Sequence, residues 1–251
     1  MLLERGDVNL DLADSRWNQT PLSWAAELGH EGAVKILLEQ EGVNPDHEST
    51  KTGVTPLLLA AENGHKGVVR MLLERGDVNP NKQAGYHNRT PLCSAATNGH
   101  GDVVKMFLER QDVNPNIAST LTGRTPLSHA TEMGHKGIVK MLLERNDIRI
   151  DIQDDKNQTA LSLALSARYD EIARMISERA ENKSDIADLD DQEPRPPSDG
   201  GEKDSIEEIQ FEENHPNSTT ANPNEHLHPH QQTPIRSKGI GLRRLFSRFR
   251  Q

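Results

Sequence analysis

Apolar residues fall along this chain in short helical stripes that return every 35 residues. Ala33, Val34, Leu37 and Leu38 lie on one side of a helix beginning near Glu31, and the same stripe recurs at Val68-Val69 with Leu72-Leu73. A shorter stripe of Leu22, Ala25 and Ala26 precedes it. Thr-Pro-Leu opens the shorter stripe at Thr20, Thr55, Thr90 and Thr125, and Thr159-Ala160-Leu161 opens a fifth copy 34 residues further on. Nine residues after each of the first four threonines stands Gly-His: Gly29-His30, Gly64-His65, Gly99-His100 and Gly134-His135.

Each element has a physical role. The threonine hydroxyl caps a helix N-terminus. Pro21 suits the first helical position, where no N–H is needed. The alanines let a neighbouring helix approach closely. Gly29 takes the left-handed conformation that stops the first helix. After the second helix comes Asp-Val-Asn or similar, and Pro45, Pro80 and Pro115 forbid its continuation. The stretch from there to the next threonine, rich in Gly, Asn, Ser and Asp, predicts an extended turn.

Two short helices and a projecting turn per unit resemble the ankyrin repeat, whose signature Thr-Pro-Leu-His-x-Ala recurs in units of about 33 residues. Ser23, Leu58, Cys93 and Ser128 stand where that signature has His. These units are about two residues longer, which places the extra length in the turn. The Asp-Val-Asn-Pro-Asn step at residues 77–81 and 112–116 is similar to that of long arrays in filamentous fungi. The resemblance covers residues 1–180. It implies an all-α ankyrin-repeat solenoid of paired antiparallel helices with projecting turns, followed by a disordered tail.

Residues 1–18 read as a partial N-terminal repeat and its turn, because Met1 to Asn9 repeats Met71 to Asn79 letter for letter. An array that opens inside a second helix is expected to be a fragment of a longer one. Met1–Arg5 is then expected to be poorly anchored, and the face of Leu22 and Leu37 partly uncovered. Residues 19–180 hold the five units. In the fifth, Arg168-Tyr169 replaces Gly-His and Ser177 replaces the leucine of Leu38, Leu73, Leu108 and Leu143. Added charge at Asp170, Glu171, Arg174, Glu178 and Arg179 suits a cap, so the solenoid is expected to stop near Ala180. A decayed repeat would carry the same substitutions.

Composition fits this picture. Hydrophobic residues make up 33% and aromatics 3%, too few for a conventional core of this size but enough for a stack of thin layers. A net charge of −10 argues against nucleic-acid binding. Cys93 is the one cysteine, which excludes a disulfide framework within the chain. There is no apolar run long enough to span a membrane and no secretory leader, so a cytoplasmic or nuclear location is expected. Residues 181–234 carry 14 acidic and 3 basic residues among prolines and polar residues, the signature of a disordered linker. Within it, Ser205 to Phe211 has the apolar spacing of a short linear motif. His215, His226, His228 and His230 lack cysteines and a scaffold, so no metal and no cofactor is expected. Residues 235–251 carry +6 and place Leu242, Leu245, Phe246 and Phe249 on one helical face. Arg243, Arg244, Phe246, Arg248 and Phe249 are its candidate contacts. Three readings fit them: weak docking on an anionic membrane, an acidic partner or the chain's own acidic linker, and a nuclear-import signal.

The resemblance implies a concave groove formed by first helices and turns, whose varying positions meet a protein partner. Those positions are Gln19, Val54, Arg89 and Arg124 before the threonine, and Trp24, Leu59, Ser94 and His129 within the first helix. Glu27-Leu28, Glu62-Asn63, Thr97-Asn98 and Glu132-Met133 follow at its end. Trp17 and Tyr86-His87 lie on the turns. Aromatics and arginine anchor interfaces, so a patch of Trp17, Trp24 and Leu28 comes first, then Tyr86, His87 and Arg89. Trp24 fits equally a packing role between helices. Cys93, with His100 and His129 in reach across units, would need a lowered pKa to act as a nucleophile. The Gly-His histidines recur as structural residues do, and no enzyme is expected. A monomeric binding adaptor is the leading expectation. The alternative is a detached regulatory segment of a larger signalling ATPase-type protein.

Overall fold

The computed structural model describes residues 9–190, with side chains through residue 182. The ten helices of this region alternate inner and outer members of a stack. The inner ones are α1 (Pro21–Glu27), α3 (Pro56–Glu62), α5 (Pro91–Asn98), α7 (Pro126–Glu132) and α9 (Ala160–Ser166). The outer ones are α2 (Glu31–Leu38), α4 (Lys66–Leu73), α6 (Gly101–Leu108), α8 (Lys136–Leu143) and α10 (Asp170–Asp190). Each inner helix packs on the next inner helix and on its own outer partner, and the outer helices pack in the same sequence. Among the described residues there is no strand, and a lone antiparallel bridge joins Ala84 to Arg89.

The inner helices start where the sequence places their caps. Thr20, Thr55, Thr90, Thr125 and Thr159 accept from the N–H three residues on, at 3.1–3.3 Å. A hydroxyl cap of this kind contributes about 1 kcal/mol. The stripes then meet in one continuous core. Leu22, Leu57, Leu92 and Leu127 from the inner helices lie against Val34, Val69, Val104 and Val139 from the outer ones, all buried.

The repeat also carries its own staples between units. Gly64 turns at φ +74°, and a Cβ there would lie 2.6 Å from Nδ1 of His100, one unit on. That close approach lets the His100 ring reach back and donate from Nε2 to the Glu62 carbonyl at 2.9 Å. His65 and His135 do the same to Glu27 and Thr97. A second staple runs along the outer helices. Arg75 clamps Asp77 through Nε and Nη2 and donates from Nη1 to the Leu38 carbonyl, 2.8 Å away in the preceding unit. Arg110 and Arg145 repeat it with Asp112 and Asp147 and with the Leu73 and Leu108 carbonyls. The sequence reading missed this clamp, although Arg-x-Asp recurs with the same period.

One expectation is corrected. Leu22 and Leu37 are not uncovered: both are buried, because they point forward into the stack. The residues left open at that end are Ala33 and Ile36 on α2, whose counterparts Val68 and Met71 sit against the preceding outer helix. Helix α10 runs to Asp190, since residues 180–190 contain Ala, Glu, Lys and Leu and no proline or glycine. At the inner end of the fifth unit, Leu165 is 60% exposed where Ala26, Ala61, Ala96 and Thr131 are fully buried. Met1–Arg5, the linker beyond residue 190, its histidines and the basic segment 235–251 lie outside the described residues.

Candidate functional site

The projecting turns close on themselves by backbone hydrogen bonds, Ala84 with Arg89 in both directions and Ser49 N–H to the Val54 carbonyl. They also touch each other: Gly85 N–H donates to the Gly53 carbonyl at 2.7 Å. The turns and the inner helices thus present their varying positions from a fixed frame.

At the first unit the frame is Asp14. Its Oδ1 accepts from the Arg16 and Trp17 N–H groups at 2.7 Å, and its Oδ2 from Gln19 N–H and from the Trp24 indole N–H at 2.9 and 3.2 Å. The Trp17 N–H, above all, holds the Asp14 carboxyl down to about 2; burial opposes this, and the Gln19, Arg16 and Trp24 donors add to it. Trp24 is half-buried and tethered, whereas Trp17 is 43% exposed with Arg16 stacked over its ring at 5.3 Å. Leu28 is 57% exposed. Gln19 is buried and donates to Glu27.

In the middle of the array Val54 is half-buried, Leu59 is buried, and Glu62, Asn63 and Asn98 are exposed. Asn98 donates to the Glu62 carbonyl, and the half-buried Thr97 donates to the Cys93 carbonyl. Crowding raises the Glu62 pKa, the Arg89 charge pulls it back, and Glu27 pushes it up again. Cys93 is fully buried, and this burial pushes its thiol up to about 12 against the smaller effects of Arg89 and Thr97. A neutral, buried thiol is a poor nucleophile. The ring of His100 is engaged with the Glu62 carbonyl instead.

Tyr86 projects from the third turn, 87% exposed, with the exposed His87 ring edge-on at 5.4 Å. Arg89 at the turn's base is half-buried. Further along, Met133 is 46% exposed and Glu132 half-buried. Arg124 and His129 are buried, so they shape the wall of this surface. Arg124 is held by Glu132 and by Asp154, a pairing that the sequence reading did not anticipate because 30 residues separate Arg124 from Asp154.

His129 is 2% exposed, and neither ring nitrogen has a hydrogen-bond partner among the described residues. Burial, then the charges of Arg89, Arg124 and His87, push its pKa down to about 3. The unfolded chain takes up this proton near pH 6.5 and the folded chain does not. Stability present above pH 6.5 is therefore lost on acidification, by at most roughly 1.4 kcal/mol per pH unit. His87, lowered mainly by burial, acts in the same direction. Between pH 6.5 and 5, urea midpoints of the protein are expected to fall more steeply than those of His129→Leu. Equal slopes would remove His129 as the cause.

The outer face differs in kind. A notch of ≈ 380 Å³ between α6 and α8 is lined by Leu108 and Met141 with Lys105, Glu109, Glu144 and Arg145 around them. Met106, Leu73 and their charged neighbours form a smaller copy one unit earlier. No described helix is long and apolar enough to cross a membrane. A family model described as ankyrin repeats matches the chain in three copies, over residues 1–84, 43–119 and 92–188. No curated protein matches it.

Proposed function

The chain belongs to the ankyrin-repeat family, and we propose that it is a non-catalytic binding adaptor that receives a protein partner in the groove formed by its inner helices and turns. Ankyrin repeats generally mediate protein–protein interaction. The observation that carries the reading to this surface is the exposure of Trp17, Leu28, Tyr86 and Met133, at 43, 57, 87 and 46%. All four sit on turns or inner-helix ends, beside a backbone locked by repeating hydrogen bonds. Large amphipathic side chains on a rigid frame lose little conformational freedom on binding and are the usual anchors of an interface.

The test is a pull-down with quantitative mass spectrometry, followed by an affinity measurement on the partner it identifies. The full chain is compared with a Trp17→Ala/Tyr86→Ala double variant whose helicity and melting temperature match it. The double variant is expected to bind about ten- to a hundredfold more weakly. Binding of unchanged strength would move the contact to the outer notches or to the residues after 190, and the groove reading would be abandoned.

A further inference from the structure

We propose that the groove at the third unit receives an acidic side chain of the bound protein, held by the Arg89 guanidinium on the turn that carries Tyr86 and His87. The inference rests on the groove reading above and specifies the chemistry of what enters it. Arg89 is half-buried at the base of its turn, and its Nε is shut off from water without a hydrogen-bond partner. Arg179 also leaves its Nε unpartnered but gives Nη2 to the Arg145 carbonyl, and four other partly or fully buried arginines hold carboxylates. Arg75, Arg110 and Arg145 each clamp the aspartate two residues on, and Arg124 binds two carboxylates at once. Arg89 forms no such ion pair among the described residues; Glu62 feels its charge from beyond ion-pair distance.

The surroundings sharpen the preference. His87, Cys93 and His129 all lie within reach of the Arg89 charge, and Arg124 acts on the same His129. Glu62 is the one acidic group that feels the Arg89 charge, and it forms no ion pair with it among the described residues. A buried N–H donor without an acceptor is unfavourable by about as much as a lost hydrogen bond. A carboxylate takes two guanidinium N–H groups together in the parallel, bidentate geometry that guanidinium favours. It also brings the negative charge that the guanidinium lacks. An amide of the same shape accepts one N–H but turns its own NH2 toward the other, so the site discriminates against it. The 87%-exposed Tyr86 lies on the same turn, three residues before Arg89, with its ring against His87.

A displayed random-peptide library selected on the full chain tests this, with Tyr86→Ala, Arg89→Gln and Arg89→Lys as comparison proteins. Because the Arg89 side chain makes no hydrogen bond among the described residues, Arg89→Gln is expected to melt at or above the temperature of the parent. Selected peptides are expected to share an Asp or Glu at one position. They should bind Arg89→Gln about ten- to a hundredfold more weakly, with Arg89→Lys in between because it keeps the charge and loses the fork. Changing the shared acid to its amide should weaken binding to the parent by a similar factor and leave binding to Arg89→Gln unchanged. Peptides that need Tyr86 but bind the parent and Arg89→Gln equally, or that share no acid, overturn the acidic pairing while the groove reading stands. Peptides indifferent to both positions, or no selection at all, remove the groove reading and the pairing with it.

Discussion

Phe107→Ala is expected to lower the stability of the array by about 3–5 kcal/mol, the range for emptying a buried aromatic site. Phe107 is fully buried on α6, at the position that Leu37, Leu72 and Leu142 fill in the other outer helices. It belongs to the core cluster that runs without a break from the first unit to the fifth. The backbone around it is pinned by the His100 and Arg110 staples, so the neighbours can close only part of the space. Phe107→Leu restores the side chain that the repeat uses elsewhere and is expected to be destabilising by less than about 1.5 kcal/mol. Stability in a repeat array is a sum of unit and interface terms, and a damaged middle unit weakens both of its interfaces. Urea unfolding of the two variants should therefore separate them clearly, and amide exchange in the alanine variant should rise first in α4, α6 and α8. An alanine variant within 1 kcal/mol of the parent would mean that the third unit adds little to the stack.

The frame was legible because it repeats. Thr-Pro-Leu, Gly-His and the apolar stripes each report a local requirement: a cap, a left-handed stop, a buried side. Four or five copies in one register make the reading secure. What lay across units was harder to see. Residues 37 or 38 apart meet in both staples, yet nothing in one copy of Arg-x-Asp announces that the arginine also serves a carbonyl in the preceding unit. The direction of side chains was also misjudged at the N-terminal end. Ala33 and Leu37 share one stripe, but Leu37 is buried in the stack and Ala33 is exposed. Among the groove candidates, variability between units marked surface and wall alike. It picked out the exposed Trp17 and Tyr86 and also the buried Leu59, Arg124 and His129. A varying position next to a helix interface can change to suit its packing neighbour as readily as a ligand, and one sequence does not separate the two.

Arg124 gives the second large effect. It joins three parts of the array: its own turn base, the end of α7 through Glu132, and the next turn through Asp154. Nε donates to Asp154 Oδ2 at 2.9 Å, and the Asp154 side chain is 2% exposed. Arg124→Met removes the cation and leaves that carboxylate in place. Breaking a buried pair in this way is unfavourable by about 3–5 kcal/mol. The lower end is expected, since Asp154 Oδ1 still accepts the Lys156 and Gln158 N–H groups at 2.8 and 2.9 Å. A double variant with Asp154→Asn is expected to recover much of the loss, giving a clear coupling between the two sites. Acid sensitivity should change as well. Burial by itself would raise the Asp154 pKa, but the Gln158 N–H, Arg124 and the Lys156 N–H outweigh it and hold the carboxyl below its ordinary value. The pair thus contributes stability above the unfolded carboxyl pKa of 3.8, and that contribution disappears as pH falls through the lower folded value. In Arg124→Met, acid unfolding is expected to begin at higher pH, with exchange rising first in α9 and α10, the elements beyond the broken contact. Additive losses in the double variant and an unchanged acid midpoint would show that Arg124 is held by its packing and not by its charge.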